Sequence, residues 1–331
     1  MSMTTGNGRG QFDWSCVAGA LEMRPSDYLG TEPILGLRPS QTFVYGSVRD
    51  GDGNIWSPMR RFMSGDGGHE KLLLQTNADS DAMHVNRASK HSATGFGVQR
   101  SFADGVVQFA NDPDAQGQPF AISVTADTFH WVEDGVLELT GTAVKPGLHW
   151  HLPDTNKGMY YVSQIFEVEG RILDKEVRGF IPMDQLYMDG VIYEDDIFIG
   201  DEAELVWYTW ATRYLDGSFE GGHFMLGHRH LGFAVVYDEH GSVVTSTDLG
   251  GEVTLDGEGP WPTRIDLTAG GQQWEFLPDP RGRMVDLMPI PNPQIEGRWR
   301  RRGDTREPAH WFAWGEIASV HGTTRRLTPP T

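Results

Sequence analysis

The chain has a single cysteine, Cys16, which excludes an intrachain disulfide and any zinc site built from cysteines. No apolar run approaches the length of a membrane span, and the N-terminus, MSMTTGNGRGQFDWS, lacks the apolar stretch of a secretory leader. Basic residues are scarce: 27 Lys and Arg stand against 46 Asp and Glu, a formal charge of −19. A surface this acidic repels phosphate backbones, so nucleic acid is not an expected partner. There is no Gly-x-Ser-x-Gly, no Gly-rich phosphate loop ahead of a helix, and no Cys-x-x-Cys. Few stretches keep a helical apolar period past about ten residues without meeting Gly or Pro. The lone thiol suits a reducing compartment, and the expectation is a soluble, cytoplasmic protein with no integral membrane segment.

What is abundant is turn chemistry and aromatic residues. The sequence has 41 glycines and 19 prolines, which suits many turns and few helices. Asp50-Gly51-Asp52-Gly53, Asp104-Gly105, Asp134-Gly135, Asp216-Gly217, His240-Gly241, Asp256-Gly257 and Gly270-Gly271 each separate segments of alternating apolar and polar residues. That pattern predicts antiparallel hairpins. Leu72–Thr76 and Thr94–Val98 read as further short strands. The fold class is therefore all-β. The length predicts two domains, and the strand count favours two antiparallel barrels or sandwiches over one large one. The expected division is an N-terminal arm (1–24) that docks at its end, a first β domain (25–170) and a second (171–331).

Aromatics make up 11% of the residues, enough to line a cleft for an apolar ligand as well as to fill β cores. The stretch Lys145–Gly190 gathers His149, His151, Asp184, Tyr160, Tyr161 and Tyr187 and reads as the hinge between domains. Asp184 sits among Phe180, Ile181, Pro182, Met183 and Leu186. A carboxyl surrounded this way loses water, its pKa rises, and it can serve as a general acid; the plainer alternative is an exposed Asp at a strand end. Tyr160, Tyr161 and Tyr187 can donate hydrogen bonds to developing negative charge or offer ring faces to a cation. Tyr208 and Trp210 share one strand face, either pocket or core. His149-Trp150-His151, in a Pro-flanked loop, and His228-Arg229-His230, with His223 nearby, have a metal-pair spacing, although two such pairs among 12 His are not rare. The acidic cluster Glu194-Asp195-Asp196 with Asp201, Glu202 and Glu204 lacks a regular calcium-loop spacing and reads as a solvated rim.

Four segments carry a family likeness: TFVYGSVRDGDGNIW; KPGLHWH with Gly158-Met159-Tyr160-Tyr161-Val162-Ser163; VRGFIPMDQLYMDG followed by VWYTWATRYLDGS; and WFAWGEIASVHG. Together they resemble the carotenoid 1,2-hydratase (hydroxyneurosporene synthase) and lipocalin-like superfamily, which includes lipocalin-like Diels–Alderases. The resemblance runs in order from Gln41 to Gly322. It implies two tandem lipocalin-like β domains with few short helices, a pocket for a hydrophobic small molecule at or between them, and no metal or organic cofactor. Three positions depart from the family pattern. Gln185 follows Met-Asp where His is usual, Tyr208-Thr209-Trp210 replaces a His-x-Trp, and only the His228-Arg229-His230 region and Tyr237-Asp238 stand near the place of a Tyr-x-Asp.

The expected activity is a cofactor-independent reaction on an isoprenoid, terpenoid or polyketide-like substrate: acid-initiated hydration, cyclisation or isomerisation. Asp184, His149 and Tyr161 are the expected catalytic residues. Tyr187, Tyr208, Trp210, His228 and Trp311 are expected against the substrate. Two alternatives stay open, a non-catalytic carrier of hydrophobic ligands and a metal-dependent hydrolase using the His-x-His pairs. A homodimer is also open.

Overall fold

The computed structural model describes residues 4–5, 11–12, 17–64, 68–95, 97–152, 158–190, 204–227, 232–255, 260–287 and 293–317. It is all-β: among these residues the helices are two short 3-10 turns, Pro25–Tyr28 and Arg87–His91. Among the described residues no helix is long and apolar enough to cross a membrane.

Two large antiparallel sheets carry the architecture. The first has 13 strands. Its central path runs Ile55–Met63, Pro39–Tyr45, Lys175–Met188, Met159–Ile172, Leu137–Leu152, Thr128–Glu133. Val17–Leu21 pairs with Leu137–Leu152, so the N-terminal arm docks at its end. The second sheet has nine strands in the order Gly241–Ser246, Gly232–Asp238, Phe219–Gly227, Glu204–Tyr214, Pro308–Ile317, Gln294–Arg301, Gln272–Arg283, Pro262–Ala269, Leu249–Leu255.

The turn chemistry explains the hairpins. Asp104 and Gly105 both take positive φ (52° and 78°), the geometry of a tight two-residue connection between Val98–Ala103 and Val106–Asn111. Asp50 ties its own turn, accepting from the backbone N–H groups of Asp52 (2.9 Å) and Asn54 (3.0 Å) and from Trp56 Nε1 (3.1 Å). The turns at Asp134-Gly135, Asp216-Gly217, His240-Gly241 and Gly270-Gly271 also separate paired strands; Asp256-Gly257 lies outside the described residues. Thr94 and Gly95 lie outside the strands, Gly95 making an isolated bridge with His69, and the strand begins at Val98.

Two other expectations need correcting. Lys145–Gly190 is not a hinge: it spans three long, mutually paired strands at the middle of the first sheet. His149 and His151 lie on the strand Leu137–Leu152 and not in a loop. Lys175–Met188 pairs within the first sheet, and Glu204–Tyr214 pairs within the second.

Three apolar cores result. One fills the first sheet's interior, around Phe62, Phe109, Trp131 and Phe166. One fills the second, around Tyr208, Trp210, Trp274 and Trp299. The third lies between the two sheets and draws on both, with Trp150, Tyr161 and Leu186 from the first and Met225, Phe233, Phe312 and Trp314 from the second. This explains why the central strands do not alternate. In Lys175–Met188 every residue from Gly179 onward is buried: Ile181 and Met183 face the first interior, Phe180, Leu186 and Met188 face the space between sheets. The first interior also holds a closed ionic cluster, Arg60 and Lys71 on Glu133, all with side chains essentially without solvent contact. Buried charges of this kind persist only when paired.

Candidate functional site

The space between the sheets contains a cavity of about 110 Å³. Its walls include Phe43, Tyr45, Trp150, Tyr161 and Leu186 from the first sheet and Trp207, Trp314 and Glu316 from the second. Strand period decides which residues reach it. Tyr161, Ser163 and Ile165 share the face of Met159–Ile172 that meets the second sheet, and Asp184 and Leu186 share that face of the neighbouring strand. Ser163 stands directly across from Asp184 in the pairing, and Phe43 flanks Asp184 on the other side.

Asp184 is 1% exposed and lines the cavity. The Tyr161 hydroxyl donates to its Oδ2 in a short hydrogen bond, whereas Oδ1 makes none among the described residues. Burial raises its pKa to about 6, against the hydroxyls of Ser163, Tyr161 and Tyr45, which favour the ionised form. The Tyr45 hydroxyl in turn donates to Thr209 Oγ1 at 3.0 Å, across to the second sheet. Ser163 Oγ shares a 3.0 Å hydrogen bond with His223 Nε2, also from the second sheet. Full burial lowers the His223 pKa to about 3, so its ring is neutral. The carboxyl thus meets hydroxyls, one of them backed by a neutral imidazole, and among the described residues no cation lines the cavity wall beside it. Such a group can hold a proton near neutrality and release it to a bound molecule.

The rings around it are close-packed. Tyr161 meets Trp207 edge-on at 5.1 Å between centroids, Trp150 lies 5.8 Å from Trp207, and Tyr45 meets Trp314 edge-on at 5.1 Å. Several π faces and two carboxyl groups, with little other polarity, make a wall suited to an apolar molecule that acquires positive charge.

The structure brings together Asp184 and Tyr161 of the residues singled out by sequence and separates the others. His149 and His151 point to the opposite face of their strand from Trp150, where both rings pack against Tyr160 (6.3 Å each). Tyr187 is on the far face of its strand from Asp184, 5.9 Å from the Tyr160 ring. Tyr208 and Trp210 are buried inside the second sheet; Trp207, on the other face of that strand, is the residue that reaches the cavity. Trp311 stacks under the Arg49 guanidinium at 4.1 Å, outside the cavity wall. His228, with Arg229 and His230, lies outside the described residues, as do residues 194–202 of the acidic cluster. Among the described residues no group of three or more His, Cys, Asp or Glu is placed to hold a metal ion.

Tyr45, Ser163, Trp207, His223, Trp314 and Glu316 were missed by sequence reasoning as site residues. Alternation on each strand could have grouped them once Asp184 was fixed, but it needed the pairing register between strands distant in sequence.

No protein-family model matches the chain, and no curated protein sequence matches it. Solved structures do resemble it. A Nitrosomonas europaea protein described as AttH superposes with a TM-score of 0.51 at 14% identity, covering 91% of this chain and 98% of that one. CghA with Sch210972 gives 0.50 at 12% identity, covering 93% and 100%. Kievitone hydratase from Nectria haematococca gives 0.47 at 9% identity, covering 97% of each chain. What the first two share with this chain is the fold over nearly its full length.

Proposed function

We propose that the protein is a cofactor-independent enzyme that protonates a hydrophobic substrate in the cavity between the sheets and so starts a hydration, cyclisation or isomerisation. One observation carries the reading: a fully buried carboxyl, Asp184, with one oxygen tied by Tyr161 and the other making no hydrogen bond among the described residues, in the wall of an aromatic cavity. Tyr161 fixes the rotamer, leaving Oδ1 to carry the proton. Its transfer to an alkene carbon turns the π pair into a new C–H bond and leaves a cation on the neighbouring carbon. Trp150, Trp207 and Trp314 are placed to shield that cation. Capture by water, whose surplus proton returns to the Asp184 carboxylate, gives an alcohol; attack by a second π bond of the substrate gives a ring; and loss of a proton from the neighbouring carbon to the Asp184 carboxylate, its C–H pair becoming the new π bond, gives a shifted double bond. The cavity is small beside the roughly 300–1,000 Å³ of a typical ligand site. The substrate is accordingly a compact molecule, or one that inserts only its reacting end.

The test is incubation with a panel of short acyclic and monocyclic isoprenoids in D₂O, followed by mass spectrometry. Wild-type protein should incorporate deuterium at carbon in at least one of them, and Asp184→Asn should not. Equal incorporation by the two proteins removes Asp184 as the acid.

A further inference from the structure

Asp184 is linked to the second sheet through a serine and a histidine that do not themselves line the cavity. Ser163 stands opposite Asp184 in the strand pairing, and its hydroxyl favours the ionised carboxyl, which is the effect of an O–H that donates to it. The Ser163 oxygen is also 3.0 Å from His223 Nε2. The direction of that bond follows from counting hydrogens. A hydroxyl has one, so a Ser163 that donates to Asp184 can only accept from His223. His223 is fully buried and its ring is neutral, so it has a single N–H. That hydrogen is therefore on Nε2, and Nδ1, which makes no hydrogen bond among the described residues, is the bare nitrogen. The other tautomer would bury an N–H without an acceptor among the described residues and turn the serine hydroxyl away from the carboxylate.

We propose that His223 is a positioning residue for the acid: as a neutral N–H donor it aims the Ser163 hydroxyl at Asp184, and so stabilises the carboxylate that remains when the proton has gone to substrate. The assignment rests on the reading of Asp184 as the acid. The hydrogens of Nε2 and Oγ stay on their own atoms, and Asp184 alone gives up a proton and takes one back. Neutrality of the ring matters. An imidazolium would stabilise the carboxylate more, but it would also place a positive charge beside a cavity in which a cation forms. The other titratable groups around these residues are Tyr45 and Tyr161 from the first sheet and Tyr237 and Glu316 from the second. Burial and the nearness of Asp184 raise the pKa of Tyr45 and of Tyr237, so both stay neutral. Glu316 accepts from Gln294 Nε2 at 2.7 Å, and Glu167, further along the strand from Ser163, is ionised against Arg213 and His310.

Carbon NMR of protein labelled in its aspartate carboxyls follows Asp184 directly, its resonance being the one lost in Asp184→Asn. The wild-type midpoint should lie at about 6. Ser163→Ala should raise it by about 0.5–1 pH unit and His223→Phe by about half as much, because each weakens donation to the ionised form. The double variant should shift no further than Ser163→Ala alone, since the histidine acts only through the serine. His223→Gln, whose amide can still donate, should return the midpoint most of the way to wild type. Nitrogen NMR of the wild-type histidine rings needs no variant to fold, and it should show His223 neutral with its hydrogen on Nε2. In the D₂O assay the pH dependence of deuterium incorporation should move with the carboxyl midpoint in each variant. A hydrogen on Nδ1 in the wild type, an unmoved Asp184 midpoint in His223→Phe, or additive shifts in the double variant overturns the role of His223. A moved carboxyl midpoint with an unmoved pH dependence of incorporation instead removes Asp184 as the acid, and leaves the hydrogen bonds from His223 through Ser163 standing.

Discussion

Asp184 shows how one residue's surroundings decide its use. Its folded pKa is raised from 3.8 to about 6, so the unfolded chain gives up this proton at lower pH than the folded one. Folded stability from this group is full below about pH 4 and declines as pH rises through about 6. Asp184→Asn should therefore stabilise the fold at neutral pH, by about 1–3 kcal/mol in urea or thermal unfolding, while reducing turnover by about 100-fold or more. Turnover by the wild type should fall as pH rises through about 6, because the working form is protonated. A rate that climbs across that range would mean that the ionised carboxylate does the work. His149 gives the converse case. It faces away from the cavity, so His149→Ala should keep wild-type kinetics, and a loss of activity with unchanged stability would place it back in the site.

At the scale of the element, turns were legible in the sequence and faces were not. An Asp-Gly pair states its geometry locally, so the hairpins at Asp104-Gly105 and Asp216-Gly217 could be read without knowing what they pack against. The strand Glu204–Tyr214 could not. Its sequence, ELVWYTWATRY, has aromatics on both faces because each face is buried, Tyr208 and Trp210 in the second sheet's interior and Trp207 between the sheets. Periodicity has nothing to report when both sides are apolar. Asp184 was legible because a lone acid in an apolar run is costly unless it is used or paired. Glu316 was not, since only the register of Gln294 against it makes it conspicuous. That register depends on close approach at Gly315, where a Cβ would lie 2.3 Å from the Trp207 carbonyl oxygen and 2.3 Å from the Tyr208 ring. Gly315→Ala should cost about 1–3 kcal/mol in chemical denaturation and displace this part of the cavity wall, lowering activity more than stability alone explains. Full activity in a destabilised Gly315→Ala would separate the strand's geometry from the chemistry.

At the scale of the molecule, the two sheets are joined by charge as well as by apolar contact. Arg49, on the first sheet, donates to the Trp311 carbonyl and reaches Glu296 (3.3 Å) and Asp279 (3.4 Å) on the second. Glu296 is fully buried, and burial raises its pKa to about 7 despite Arg49 and Ser47. Glu167 reaches the other way, to Arg213 and to His310 Nε2 (2.8 Å), and despite its burial these partners lower its pKa to about 2. The Glu167 contribution is present above the ordinary carboxylate range and is lost as pH falls toward about 2. Arg49→Ala removes the cation beside Glu296, which then stays protonated at neutral pH, and should cost about 1–3 kcal/mol through the lost hydrogen bonds. With so much shared between the sheets, calorimetry should show one cooperative transition in the wild type, and Arg49→Ala should lower its midpoint without splitting it. Two resolved transitions in the wild type would mean the sheets are independent.

A chamber walled by two separately folded surfaces has its bore set by how closely those surfaces approach. Trimming Phe312 or Met225, which pack between the sheets without lining the chamber, would let the walls settle nearer and admit a different size of molecule. New substrate ranges can therefore arise in this scaffold through residues that never touch what is bound, while Asp184 keeps its place in the wall.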